Sequence, residues 1–261
     1  MQLNLIGKVA LVTGASGGLG SAIASALAGE GMVVALVGRD RDKLAAVSAN
    51  VQKLSGVAPV VISADLTQPA AADECVSATI AAAGRLDLLV NCAGATKRGD
   101  FFELDDRDWV DGFALKFHGC VRMCRAAWPH LVAQRGTVIN IVGVGSRTPS
   151  MDFLIGGSVN NALLNFTKGL ADRGGTDGVR VNAINPGFFR TDRTDKRINL
   201  LAKNHQVSRE QAESMLLKEL SVQRLGRPEE VGRLTSFLAS DHAAYIHGAT
   251  LDIDGGVTRG L

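Results

Sequence analysis

Short runs rich in valine and isoleucine alternate along this chain with longer stretches of helical periodicity, and that rhythm leaves few folds open. The strand candidates are Val9 to Thr13, Val33 to Val37, Val60 to Ser63, Leu86 to Asn91, Gly136 to Ile141, Val179 to Ile184 and Ala249 to Ile253. Helices are expected to start near Gly18, Arg41, Pro69, Asp106, Gly157 and Pro228. A strand, a helix and a second strand make a βαβ unit, whose crossover leaves the two strands parallel. Repeated along the chain, the unit predicts an α/β fold with a doubly wound parallel sheet of about seven strands between two helical layers. With 261 residues, 46% of them hydrophobic, the chain can bury one large core, so a single domain over 1–261 is expected.

One interval departs from the rhythm. After Pro186-Gly187, the stretch 191–224 (Thr191 to Arg224) is charged and helical, with no strand of its own. It reads as an insertion over the carboxyl ends of the strands, where open α/β sheets bind ligands. A mobile lid and a solvated surface helix both satisfy that pattern.

Composition closes off several function classes. The net charge is only +2 with acids and bases interleaved, which lacks the basic footprint that nucleic acid requires. No apolar run approaches the roughly 20 residues of a membrane span, and Met1 to Lys8 has no basic stretch leading into an apolar one, so a soluble cytoplasmic protein is expected. Cys75, Cys92, Cys120 and Cys124 lie in apolar segments and read as buried thiols. His118 should project from a different helical face than Cys120 and Cys124, so no metal site is expected.

The first strand runs into Thr13-Gly14-Ala15-Ser16-Gly17-Gly18-Leu19-Gly20, and a helix follows. Small residues there let the backbone approach a pyrophosphate, toward which the free amides at the helix start point with the helix dipole behind them. At the end of the second strand stands Gly38-Arg39, with no acid until Asp40. An acid at that place would accept from the ribose 2′-hydroxyl of NAD, whereas an arginine pairs with the 2′-phosphate of NADP, so NADP(H) is favoured over NAD(H).

With Asp65-Leu66, Asn91-Cys92-Ala93-Gly94, Asn185-Pro186-Gly187, Leu225-Gly226-Arg227-Pro228-Glu229-Glu230-Val231 and Gly248 to Gly256, the chain resembles the short-chain dehydrogenase/reductase family nearly end to end. The resemblance implies a Rossmann-type fold, an oxidoreductase, and a homo-oligomer, a tetramer in the family. By position it gives the adenine to Asp65 with Leu66 and the cofactor lining to Asn91, Ala93 and Gly94. Pro186, Gly187 and Thr191 fall at the carboxamide, and Gly14, Ser16, Gly18, Leu19 and Gly20 at the phosphates.

The family's catalytic set is Asn, Ser, Tyr and Lys, and the resemblance places Lys116, Gly143, Gly156 and Asn160 at those four positions. The chain's single tyrosine, Tyr245, lies far along the sequence, near the last strand. The Asn and Lys types are exchanged, which suggests that Lys116 enters the space left by Gly143 and Gly156 as an altered catalytic centre. A tolerated or salt-bridged Lys116 is the plainer alternative. Ser146, Ser158, His118 and Asp152 are weaker polar candidates. Lys97, Arg98, Arg190, Arg193, Lys196 and Arg197 are expected round the cleft mouth, diluted by Asp100, Asp192 and Asp195. They suit either an acidic substrate or acyl thioester, or a merely solvated rim. The function expected is therefore an NADP(H)-dependent oxidoreductase on an unknown carbonyl or alcohol, or else a catalytically silent dinucleotide-binding protein.

Overall fold

The central strands are continuous apolar runs because helices cover both their faces. In the computed structural model, which describes residues 2–259, all five residues of β1 (Val9–Thr13) are buried. Met1, Gly260 and Leu261, at the ends of the expected domain, lie outside the described residues. The chain continues through α1 (Gly18–Gly29), β2 (Val33–Gly38), α2 (Arg41–Ser55), β3 (Val60–Ser63), α3 (Ala71–Ala83) and β4 (Leu88–Asn91). Next come α4 (Asp106–Phe113), α5 (Cys120–Gln134), β5 (Thr137–Ile141), α6 (Leu154–Asp177) and β6 (Arg180–Pro186). The last elements are α7 (Asp192–His205), α8 (Arg209–Leu220), α9 (Pro228–Ala239) and β7 (Thr250–Ile253).

The seven strands form one wholly parallel sheet in the order β3-β2-β1-β4-β5-β6-β7. Side-chain alternation divides the core. Ala10 and Val12 face a layer holding Ile23, Leu27, Leu44, Val231 and Leu238, contributed by α1, α2 and α9. Val9 and Leu11 face the opposite layer, where Cys75, Met123, Leu131 and Leu163 come from α3, α5 and α6. The order turns back between β1 and β4, which opens a crevice at the carboxyl ends of those strands.

Element ends moved where local hydrogen bonds outweighed the periodic pattern. Helix α3 begins at Ala71 rather than near Pro69, because Gln68 N donates to Asp65 O and closes a turn first. Helix α6 begins at Leu154, ahead of Gly157, whose amide already donates to Phe153 O at 2.8 Å. A π turn at Ala114–Gly119 separates α4 from α5.

Helices α7 and α8 form a hairpin with a small core of its own, in which Ile198, Ala212, Leu216 and Leu225 are buried. A short parallel bridge between Phe189 and Gly226 ties its two ends together.

Candidate active site

The turn after β1 is locked to the turn after β4 by one hydroxyl. Thr13 Oγ1 accepts from Cys92 N at 3.0 Å and Ala93 N at 3.1 Å, and donates to Val90 O at 3.3 Å. Gly14 adopts φ +68°, and a Cβ there would lie 2.9 Å from Ala93 Cα, so only glycine permits this approach. Helix α1 starts without a side-chain cap and without an acid in its first turn, and a Cβ on Gly17 would meet nothing within 4 Å. Its first amides thus face open space at the positive end of the helix dipole, a setting that fits a pyrophosphate. Leu19 and Gly20 continue that turn, and a Cβ on Gly20 would lie only 2.2 Å from Gly14 O.

Other residues singled out from the sequence surround the same crevice. Ser16 backs onto Gly38, and Thr191 Cγ2 would lie 3.8 Å from a Cβ on Gly18. Pro186 ends β6, and Gly187 N donates to Ile253 O. The Arg39 side chain makes no ion pair or hydrogen bond among the described residues. The Asp40 carboxylate, by contrast, caps α2 by accepting from Lys43 N at 3.0 Å. Asp65 Oδ1 accepts from Thr67 N and Thr67 Oγ1, while Leu66 is buried beneath Gly119. The Asn91 side chain does not join the crevice: its Nδ2 donates inward to Asn140 Oδ1 at 2.9 Å and to Cys124 Sγ.

Lys116, Gly143 and Asn160 meet at the end of β5. Lys116 stands in the π turn, and its Nζ donates to Val142 O and to Asn160 Oδ1, each at 2.5 Å. Gly94 makes room for it, since a Cβ there would lie 2.8 Å from Lys116 Cδ. Asn160 Nδ2 donates to Gly143 O, and Gly143 adopts φ +135°, where a side chain would be strained. Burial, and then the charge of Arg193, push the Lys116 ammonium down to about 8 despite its two carbonyl acceptors.

The expectation that Lys116 would also fill the space at Gly156 is corrected by Phe153. Three ring atoms of Phe153 come within 2.5 Å of where a Gly156 Cβ would be, so an aromatic ring occupies that place. Arg98 stacks on this ring at 4.0 Å from its centroid and Arg193 lies at 5.6 Å. Neither the π turn nor Phe153 was picked out from the sequence. The one available hint was Phe153 standing three residues before a glycine, at helical spacing.

The weaker polar candidates have other duties. Ser146 Oγ donates to Gly143 O and lies 3.3 Å from Asn185 Oδ1, while Ser158 and His118 are exposed. Tyr245 is fully exposed, and Asp152 pairs with Arg98 at 2.7 Å. Of the cleft cations, Lys97 pairs with Asp108, Arg190 with Glu213 and Arg197 with Glu219. Burial pushes the Cys92 thiol up to about 12, and a hydrogen bond with Cys124, then burial, hold Cys120 well above the usual thiol range, so both stay protonated. No cluster of metal-binding side chains occurs among the described residues.

A doubly wound parallel sheet with an uncapped helix start at its switch point defines a Rossmann-type nucleotide-binding protein. A family model described as "Enoyl-(Acyl carrier protein) reductase" matches residues 14–258. The L-sorbose reductase of Gluconobacter frateurii, solved with NADPH and L-sorbose, superposes with TM-score 0.96 at 30% identity over all of both chains. The 3-oxoacyl-[acyl-carrier-protein] reductase FabG of Escherichia coli is 32% identical over 98% of this chain and 99% of its own. An uncharacterized oxidoreductase of Bacillus subtilis, YvaG, is 30% identical over the whole of both. The chain belongs to the short-chain dehydrogenase/reductase family of oxidoreductases.

Proposed function

We propose that the protein is an NADP(H)-dependent oxidoreductase for a carbonyl/alcohol pair, with Lys116, Gly143, Gly156 and Asn160 at the family's catalytic positions and Lys116 as the proton donor. The observation that carries this reading is the Lys116 ammonium held between Val142 O and Asn160 Oδ1 and depressed to about 8. A group titrating there both gives and takes a proton near neutral pH.

Gly14, Ser16, Gly18, Leu19 and Gly20 would hold the pyrophosphate at the start of α1. Arg39 would take the 2′-phosphate, Asp65 and Leu66 the adenine. Ala93, Gly94, Pro186, Gly187 and Thr191 would line the nicotinamide half, with the inward-bonded Asn91 side chain behind them. The crystallised L-sorbose reductase with NADPH supports the choice of dinucleotide. So does the commitment of the Asp40 carboxylate to capping α2.

When bound, the dihydronicotinamide supplies a hydride to the carbonyl carbon. Lys116 Nζ then gives its proton to the carbonyl oxygen, while Asn160 and Val142 hold the ammonium in place. The α7–α8 hairpin serves as a lid over the substrate, hinged at the Phe189–Gly226 bridge. The proposed setting is a cytoplasmic tetramer, with α9 and β7 at subunit contacts.

A silent dinucleotide-binding protein is the second reading, favoured by the Phe153 ring that fills the place of a hydroxyl at Gly156. Nicotinamide fluorescence on titration with NADPH and NADH tests the first step. Loss of nicotinamide absorbance with a panel of ketones, oxo acids and acyl thioesters tests the second. NADPH binding with turnover abolished in Lys116→Met supports the enzyme, and binding without turnover on every substrate selects the silent protein. Failure to bind either dinucleotide overturns both.

A further inference from the structure

Arg193, in the first turn of α7, is placed unlike the cations around it. Its guanidinium lies over the Phe153 ring and, among the described residues, makes no ion pair and donates no hydrogen bond. A guanidinium held against an aromatic face keeps its N–H fork free for another partner. Arg98 stacks on the same ring, and Lys116 donates only to two carbonyls. Arg193 is near enough for its charge to help depress the Lys116 ammonium. Against these three cations, Asp152 is the one carboxylate paired into the group among the described residues, through Arg98. Like charges that outnumber their carboxylate partners repel one another, and an anion arriving from outside relieves that repulsion.

The anion belongs to the substrate rather than to the dinucleotide on grounds of position. Arg39, at the end of β2, lies on the far side of the switch point, and although Thr191 at the start of α7 comes near Gly18 at the start of α1, Arg193 two residues on turns to the Phe153 ring instead. Phe153, Lys116 and Asn160 gather at the end of β5, on the other half of the sheet. A planar guanidinium with its whole fork available matches a carboxylate two-pronged.

We infer that Arg193, with Arg98 on the same Phe153 ring and Lys116 nearby, forms a subsite for a carboxylate, so that the preferred substrate is an oxo acid. The reducible end of that substrate rests on the function proposed above. The carboxylate subsite does not.

Titration calorimetry on the full chain saturated with NADP+, which cannot reduce anything, separates the two. The probes are levulinate and its methyl ester. Wild type is expected to bind levulinate in preference to the ester. Arg193→Met is expected to lose about ten- to a hundredfold in levulinate affinity, the scale of a hydrogen bond to a charged group. Arg193→Lys should keep part of the affinity and Arg193→Glu none, with unfolding temperatures alike across the series to verify folding.

Equal binding of acid and ester overturns the subsite. So does a wild type that fails to bind levulinate at millimolar concentration, or an Arg193→Met variant that binds it as wild type does. If NADP+ itself fails to bind while levulinate binding still depends on Arg193, the dinucleotide reading falls and the subsite stands.

Discussion

The ring of Phe153 stands where a side chain on Gly156 would have to be: a Cβ there would lie 2.0 Å from Phe153 Cζ and 2.2 Å from Cε2. Alanine is ordinarily favoured over glycine inside a helix by about 0.5–1 kcal/mol. Here Gly156→Ala must drive the ring off its stack with Arg98, and overpacking of this kind costs about 1–3 kcal/mol. The substitution is therefore expected to destabilise wild type yet stabilise a Phe153→Ala background. Urea unfolding of the two single variants and the double variant measures that change of sign. The same clash predicts that Gly156→Tyr alone does not install a working phenol.

Lys116 and Asn160 are bonded to each other, so changes at the two positions are expected to act as a unit. Asn160→Lys alone sets a second ammonium against Lys116 in a part-buried site. It is expected to cost more than about 3 kcal/mol, the penalty of a buried charge without a partner. Adding Lys116→Asn restores one cation and one amide, and should recover most of that loss. Unfolding free energies that simply add across the two changes would show that the residues are not coupled.

How much of this was legible beforehand depended on whether a residue's partner is local. Val9 to Thr13 reads as a buried strand because parallel strands covered on both faces carry unbroken β-branched runs, and it is one. The Thr13 to Gly20 turn was equally plain, since its conformation follows from glycine at Gly14 and Gly18. The start of α6 at Leu154 carries no such mark, because the first helical bond, Gly157 N to Phe153 O, involves residues with no capping signature. The π turn around Lys116 has no characteristic residue types at all. The stack of Arg98 and Arg193 on Phe153 joins three segments distant in sequence, and no periodicity reports such a meeting.

The depressed Lys116 ammonium makes stability depend on pH in a definite direction. Its value falls from 10.5 in the unfolded chain to about 8 in the folded one. Between those values the unfolded state binds more protons, so this group's contribution to stability rises with pH. The penalty is fully present below about 8 and is relieved toward 10.5, by up to roughly 3 kcal/mol. Lys116→Met lacks the group, so its stability advantage over wild type should be largest at pH 7 and shrink on going to pH 10. An advantage that stays constant over that range would place the ammonium in water.

Arg180 performs a purely structural task at the end of α9. Its Nη1 donates to Leu238 O at 2.7 Å and Ala243 O at 3.1 Å, and its Nη2 donates to Ala239 O and Ser240 O. Leu238 O and Ala239 O lie in the last turn of α9, where the helix supplies no further donors, while Ser240 O and Ala243 O also accept from Ala243 N and Ile246 N. Arg180→Met is expected to cost about 2–4 kcal/mol, since four acceptors lose a charged donor together. Thermal unfolding should fall clearly for Arg180→Met and less for Arg180→Lys, which supplies the charge without the fork. Equal losses would mean that only the charge matters there.

In the proposed cofactor site Arg39 selects the dinucleotide. Its side chain makes no ion pair or hydrogen bond among the described residues, and the neighbouring carboxylate of Asp40 is held by Lys43 N. A phosphate on the ribose would meet a guanidinium able to bond it with two N–H groups, whereas a ribose hydroxyl there finds no free acid. Arg39→Ala is expected to weaken NADPH binding by about ten- to a hundredfold and to leave NADH almost unchanged, because only the first ligand loses a charged partner. Arg39→Asp should go further and reverse the preference, by repelling the phosphate and accepting from the hydroxyl. Fluorescence titration of the three proteins with both ligands measures the ratio directly. Parallel weakening of NADPH and NADH would mean that Arg39 supports the strand end and does not touch the 2′ position.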